Sequence, residues 1–355
     1  MTVFRQPALL RNMNRFSKLV VLLISISLSY CFAQVKQKPI QGCSRISGMP
    51  GPEDFAADKE KKILYITSHD RRKKTETGKI YAVNIKDGES EKKPVLLEAD
   101  YPKDFNPHGI SILKTKDSTR LYVISHPDFP EQKGRHKVEI FSVEKQNRLK
   151  HIETLQDDLL HSPNDLFVLE DGRVLVSNDH GSGGKFRNFM DDLFRFKRSE
   201  VVLYDGQNWK TLEDTGASFG NGIIVLKKND KAVMYRASTI KEKIDRFEIT
   251  DWKTFELKKM DPIKMESGPD NLETDEEGNL WTAAHISMFR FLFHASDPKN
   301  HSPSQVFKIS PDGVITEIYA DKGEEISASS TGLKIGKRLY IAQVFEDYLL
   351  SCPME

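Results

Sequence analysis

Apolar and aromatic residues come along this chain in short runs, and the runs come in pairs. Ile63-Leu64-Tyr65-Ile66 is followed by an alternating stretch over 79–85, and Leu121-Tyr122-Val123-Ile124 by another over 137–143. The couplet returns at 174–176 with 200–204, at 232–235 with 243–249, at 279–281 with 305–309, and at 339–341 with 348–351. Short period-2 alternation marks strands with one buried face. Asp171-Gly172, Glu277-Gly278 and Asp312-Gly313 supply hairpin turns. The centres of the six couplets, Tyr65, Tyr122, Leu175, Tyr235, Trp281 and Tyr340, lie 46 to 60 residues apart. A unit repeated at such spacing must stack on its neighbours to bury its apolar face. Six units, each of about four short strands, predict an all-β, six-bladed β-propeller closed near the termini. A tandem of β-sandwiches is the alternative, but it explains neither the sixfold spacing nor cysteines at both ends.

Two stretches depart from this pattern. In residues 1–33, Arg15 and Lys18 precede an apolar run over 19–28 and the small-x-small sequence Cys31-Phe32-Ala33, which reads as an export signal. The run is short for a membrane span. A retained or lipidated anchor on Cys31 is the alternative, and Met13 would open a more compact signal. The propeller domain is then 34–355, secreted or periplasmic. The second departure is 185–197, after Gly181-Ser182-Gly183-Gly184. Phe186, Phe189, Met190, Leu193 and Phe194 fall on one helical face. This predicts a short accessory helix over the top face, either packed on the rim or roofing the central site as an apolar lid, where it and the N-terminus could meet a membrane or lipid surface.

Charge and cysteines narrow the classes. Lys and Arg number 53 against 52 Asp and Glu, and residues 1–33 hold four bases and no acid, so the remainder carries about −3. No basic face favours nucleic acid. With Cys31 in the signal, Cys43 and Cys352 remain. An even pair in an exported chain invites a disulfide that would clamp the ring; two separate thiols are the other reading.

Candidate chemistry sits at the blade starts. Glu53-Asp54, Asn164-Asp165, Asn221-Gly222 and Asp270-Asn271 are polar doublets at the entry to strand-like runs. Any one alone is a turn or an Asx cap; four at successive blade starts point to oxygen ligands converging on Ca²⁺. Glu53 and Asp270 give two carboxylates, and Asn164, Asn221 and Asn271 give neutral amides, a shell that suits calcium better than a transition metal. Because neighbouring side chains on a strand point to opposite sides, Asp54 and Asp165 could serve a second ion. His108 and His126 could activate water or relay protons, while His180 and His285 sit at strand ends. No Gly-x-Ser-x-Gly, His-Glu-x-x-His or phosphate loop occurs.

These residues bring a resemblance with them. Cys43, Glu53-Asp54, Asn106-Pro107-His108-Gly109-Ile110, Ser125-His126-Pro127, Asn164-Asp165 and Asn178-Asp179-His180 resemble, in order and spacing, the serum paraoxonase/arylesterase family. So do Phe219-Gly220-Asn221-Gly222, Asp270-Asn271, His285, Val344-Phe345 and Cys352. The resemblance implies a calcium-dependent lactonase and arylesterase with two ions in the central tunnel. Glu53, Asn164, Asn221, Asp270 and Asn271 would hold a catalytic ion, and Asp54, Asp165 and the carbonyl of Ile110 a structural one. His108 and His126 match the family's water-activating dyad, and Phe219, His285 and Phe291 are pocket walls. More distantly the chain is similar to gluconolactonase-type and strictosidine-synthase-like propellers. A sugar lactonase, and a non-catalytic propeller in which calcium only holds the ring, are the competing functions.

Overall fold

The computed structural model describes residues 35–73, 77–86, 92–126, 135–228 and 231–354; the segment 1–33 lies outside them. Six four-stranded antiparallel sheets form the blades of a propeller. Blade 1 runs Pro52–Asp58, Ile63–Ser68, Lys79–Asn84, Pro94–Leu96. Blades 2 to 5 follow in chain order, with inner strands Pro107–Lys114, Pro163–Val168, Gly220–Lys228 and Gly268–Thr274. The six couplets of the sequence pattern are the second and third strands of the six blades, with ends that agree to within four residues. In blade 5 the doublet Asp270-Asn271 opens its own inner strand, so Leu280-Trp281 belongs to the next one.

Closure is made by hydrogen bonding between the ends of the chain. Blade 6 takes three strands from the C-terminal end, Ser329–Ile335, Arg338–Gln343 and Tyr348–Pro353, and its outermost strand, Ser44–Ser47, from the N-terminal end. Ser44 pairs with Ser351 and Ser47 with Tyr348. Cys43, one residue before that strand, is bonded to Cys352, closing a loop of 309 positions. The ring therefore has no free first or last blade, which removes the edges where an open stack of sheets would aggregate.

The core lies between blades, because a four-stranded sheet can bury its apolar faces only against its neighbours. Leu113, Ile124, Val138, Leu166 and Val176 join blades 2 and 3, and Leu175, Leu203, Ile223, Met234 and Phe247 join blades 3 and 4. Around closure, Phe55, Trp281, Tyr319, Tyr340 and Leu349 pack blades 5, 6 and 1 together.

Among the described residues two α-helices interrupt the β architecture, both in loops between second and third strands. Helix α1, Lys185–Phe194, is three residues shorter than the sequence pattern predicts, because Arg195 turns left-handed (φ 56°) and its N–H bonds back to Asp192. Helix α2, Met288–Ser296, was not anticipated; Ser287 caps it by accepting from the N–H of Arg290. Its sequence signal was a Ser N-cap ahead of Met288, Phe291 and Leu292 at helical spacing, hidden when Phe291 is read as a single pocket residue.

Candidate active site

Every inner strand begins with the same irregularity. The register against the second strand slips between Pro52 and Asp54, Pro107 and Ile110, Pro163 and Asp165, Gly220 and Ile223, Pro269 and Leu272, and Ser329 and Gly332. A bulge bends a strand and re-aims the side chains inside it, and these are the segments that carry Glu53, His108, Asn164, Asn221, Asp270-Asn271 and Ser330-Thr331. Glycine lets the inner strands come close: a Cβ on Gly109 would meet Asp165 at 2.8 Å, and one on Gly222 would meet backbone of Asp270 and Leu272 at 2.6 Å or less. The residues expected as ligands stand at or near this point on five of the inner strands.

At the upper level of the tunnel the polar atoms are only half satisfied. The Asn271 amide donates to Glu53 Oε1 (3.1 Å) and to Thr331 (2.9 Å), and the Asn221 amide donates to Thr239 (3.4 Å). Committing each NH₂ to a neighbour leaves the amide oxygen over. Glu53 Oε2 and the Oδ1 atoms of Asn164, Asn221 and Asn271 are buried with no hydrogen-bond partner. Buried polar atoms are ordinarily satisfied, so these four oxygens are free to accept from water, a ligand or a cation. Among the described residues no three His, Cys, Asp or Glu side chains are set to hold a metal; the shell depends on amides. Asp270 is steadied by His285, whose Nε2 lies 2.7 Å from Oδ2. Burial raises the Glu53 and Asp270 carboxyls above their usual range, opposed by Arg71 at Glu53 and by His285 at Asp270.

The lower level is built from the neighbouring residues. Asp54 accepts from the N–H of Phe55, the N–H of Ile110 (2.9 Å) and the Thr331 hydroxyl (2.8 Å). Asp165 accepts from Leu166 N–H (2.7 Å) and Ile223 N–H (2.8 Å). The structure thus brings Ile110 to Asp54 through its N–H. Both carboxyls are pushed well up by burial, with other carboxylates adding to the push. They open with Glu273 onto a cavity of about 170 Å³, and burial raises Glu273 to about 7.

His108 and His126 are in contact, Nδ1 to Nε2 at 3.0 Å, with rings crossed at 84°. The other nitrogen of His108 lies 3.6 Å from Glu53. Burial, reinforced by Arg71, lowers His108 to about 3, and burial with its neighbouring histidines lowers His126 well below the usual value. Both are neutral at physiological pH. A third ring, His136, sits 2.9 Å beyond His126.

Of the suggested pocket walls, Phe291 meets His285 edge to face (4.8 Å) and Phe345 at a tilt (5.4 Å), while Phe219 meets His180 edge to face (5.3 Å). Both helices also hold apolar side chains outward: Phe186, Phe189 and Phe194 on α1, and Phe289, Leu292 and Phe293 on α2, are exposed, whereas Phe291 turns to His285 and Phe345. Rim packing of the α1 aromatics does not occur. Asp191, bonded to Arg198, and Asp192, bonded to His180, face the propeller instead.

Sequence reasoning missed four residues. Thr331 occupies the blade-6 equivalent of the doublets, which the sixfold spacing could have located. Arg71, 3.8 Å from Glu53, and His136 stand in loops without a pattern. Glu273 follows Asn271 by two residues and carries no motif of its own.

The chain matches the family described as Arylesterase over residues 39–353. It is 28% identical to serum paraoxonase/arylesterase 2 of Gallus gallus over 311 residues, 83% of this chain and 78% of the relative. It is 27% identical to serum paraoxonase/lactonase 3 of Homo sapiens, with 77% and 76% covered. Among solved structures, a gluconolactonase from Xanthomonas campestris shares the fold with a TM-score of 0.56 and 15% identity, covering 91% of this chain and 96% of that one.

Proposed function

The chain belongs to the arylesterase family, and from that premise we propose that it hydrolyses lactones and carboxylic esters, aryl esters among them, at the upper level of the tunnel. The observation that carries this reading is the set of four buried oxygens without a hydrogen-bond partner on Glu53, Asn164, Asn221 and Asn271, beside a histidine that burial keeps neutral. Oxygen donors in that number, few of them charged, suit Ca²⁺. Asp270 completes the upper shell; Asp54, Asp165 and the Ile110 backbone would hold a second, structural Ca²⁺. When bound, the upper ion polarises the substrate carbonyl and offsets the charge developing on its oxygen.

The protein's own groups supply the remaining steps. His108, kept unprotonated by burial and by Arg71, takes a proton from the attacking water at Nε2 and passes charge toward His126 across the 3.0 Å contact. His285 orients Asp270, and the Arg71 guanidinium holds Glu53 in place. Phe219, Phe291 and Phe345 line the mouth with apolar surface that excludes water and receives an acyl or aryl group. The exposed aromatics of α1 and α2 offer the same face a lipid surface or a bulky apolar substrate. The disulfide suits an oxidising compartment, in keeping with export directed by residues 1–33.

A panel of aliphatic lactones, sugar lactones and aryl acetates, run with calcium and with a chelator, tests this function. Hydrolysis that needs calcium and falls in His108→Gln, with calcium binding retained, is the expected result. Full activity in chelator, or in His108→Gln, would refute the mechanism. Turnover of sugar lactones alone would make the protein a sugar lactonase, and inactivity throughout would favour a partner-binding propeller.

A further inference from the structure

Three segments far apart in the chain meet at Arg72. It stands in the loop after the second strand of blade 1, where Asp70 accepts from the N–H groups of Arg72 (3.1 Å) and Lys73 (3.0 Å). Its Nη1 donates to Glu346, in the turn before the last strand (3.0 Å), and its Nη2 to the backbone carbonyl of His294 on α2 (2.8 Å). The guanidinium also covers the ring of Phe345 at 4.8 Å. His294 completes the junction. Its Nδ1 donates to the Asn300 carbonyl (2.8 Å), and its Nε2 lies 3.0 Å from Glu346 and 3.2 Å from Arg72.

A nine-residue helix does not persist on its own, and an apolar one ordinarily docks through its apolar face. Helix α2 does the reverse: His294 is its only buried residue, while Phe289, Leu292 and Phe293 are exposed. The helix is thus anchored by a polar side chain seated on Arg72 and Glu346. Phe291, three positions before His294 and on the same side of the helix, is thereby presented to Phe345 (5.4 Å) and to His285 (4.8 Å), which in turn holds Asp270 at 2.7 Å. The two phenylalanines come from different blades, so neither blade alone fixes their spacing. Arg72, from a third blade, touches both of the segments that carry them.

We propose that Arg72 is a positioning residue for substrate selectivity: it locks α2 to the Phe345 turn and so sets the Phe291–Phe345 wall that receives the acyl or aryl group. This rests on the proposed hydrolysis. Arginine suits the task because a planar guanidinium donates along its edges while its face covers a ring. A lysine ammonium keeps the charge but cannot make all three contacts.

Two substitutions and two measurements test it. Arg72→Met keeps the apolar stem and removes the donors; Arg72→Lys keeps only the charge. In both, kcat/KM for aryl esters and long-chain lactones should fall about 10- to 100-fold, chiefly through KM, since pocket contacts are what is lost. For the smallest unsubstituted lactone, which has no group to set against the wall, it should stay within about threefold. Amide exchange of α2 should quicken about 10-fold in Arg72→Met while inner-strand amides keep their protection. Equal losses on small and bulky substrates would make Arg72 merely structural and overturn the proposal. Wild-type selectivity in either variant, or unchanged α2 exchange, would overturn it as well. If Arg72→Met does not fold, Arg72→Lys read by the same two measurements decides. A wild-type protein inactive on every substrate defeats the hydrolysis reading and the selectivity with it, whereas the exchange measurement still judges the anchor.

Discussion

The upper and lower levels of the tunnel are made from adjacent residues of the same strands, yet they end in opposite states. Glu53 and Asn164 belong to the upper level and leave oxygens without partners. Asp54 and Asp165, one residue further on, have both carboxylate oxygens taken by N–H groups, and two of those donors, on Ile110 and Ile223, come from the next blade. The upper level is thus a set of acceptors awaiting a ligand. The lower level already works as mortar between blades 1 and 2 and between blades 3 and 4. One bulge per strand produces both, since it sends one side chain into the tunnel and lets its neighbour reach sideways.

Substitution should separate the two levels most sharply. Asn221→Ala removes an oxygen that no protein group uses together with one long amide bond to Thr239 (3.4 Å), so it should cost about 1 kcal/mol in stability. Its turnover of the best lactone should fall by about 10²–10³, the range for losing one electrostatic stabiliser at a reacting carbonyl. Asp165→Ala strands two buried N–H groups and should cost about 2–5 kcal/mol. Denaturant melts and kinetics on the two purified variants check this. A stable Asp165→Ala, or a destabilised but fully active Asn221→Ala, would break the comparison.

Acidity gives a smaller effect of defined sign. Glu273 is raised from 4.5 to about 7 by burial, and Asp54 and Asp165 are raised as well. The folded state therefore holds protons that the unfolded chain gives up, and stability without calcium should decline as pH climbs from about 4.5 to 7. Calcium should flatten that slope and raise the melting temperature by mass action. Melts across pH, with and without calcium, would show it; a calcium-free protein that gains stability over this range would contradict the assignment.

Outside both levels, α1 supplies the mildest contrast. Burial alone would lower His180, but Asp179 (2.7 Å) and Asp192 (3.0 Å) outweigh it and raise the ring to about 10. The tether from His180 to Asp192 is then fully present below pH 6.5 and lost as pH rises through about 10. Hydrogen exchange of the α1 amides should quicken over that rise while inner-strand amides stay protected. His180→Asn should show the faster exchange at every pH.

The ring was legible in the chain, because period-2 alternation and turn pairs are local and the six couplet centres recur every 46 to 60 residues. The oxygen doublets were legible for the same reason: Glu53-Asp54 and Asn164-Asp165 stand at the same point of their repeats. What only the tertiary structure decided is which oxygens are left over and which are consumed. Asn271 finds Glu53 across 218 positions and Thr331 finds Asp54 across 277, contacts that exist only once the ring has closed. Arg71, His136 and the outward turn of the α1 aromatics belong there too. A loop residue has no periodicity to reveal its partner, and an apolar helical face looks the same in sequence whether it meets a core or water.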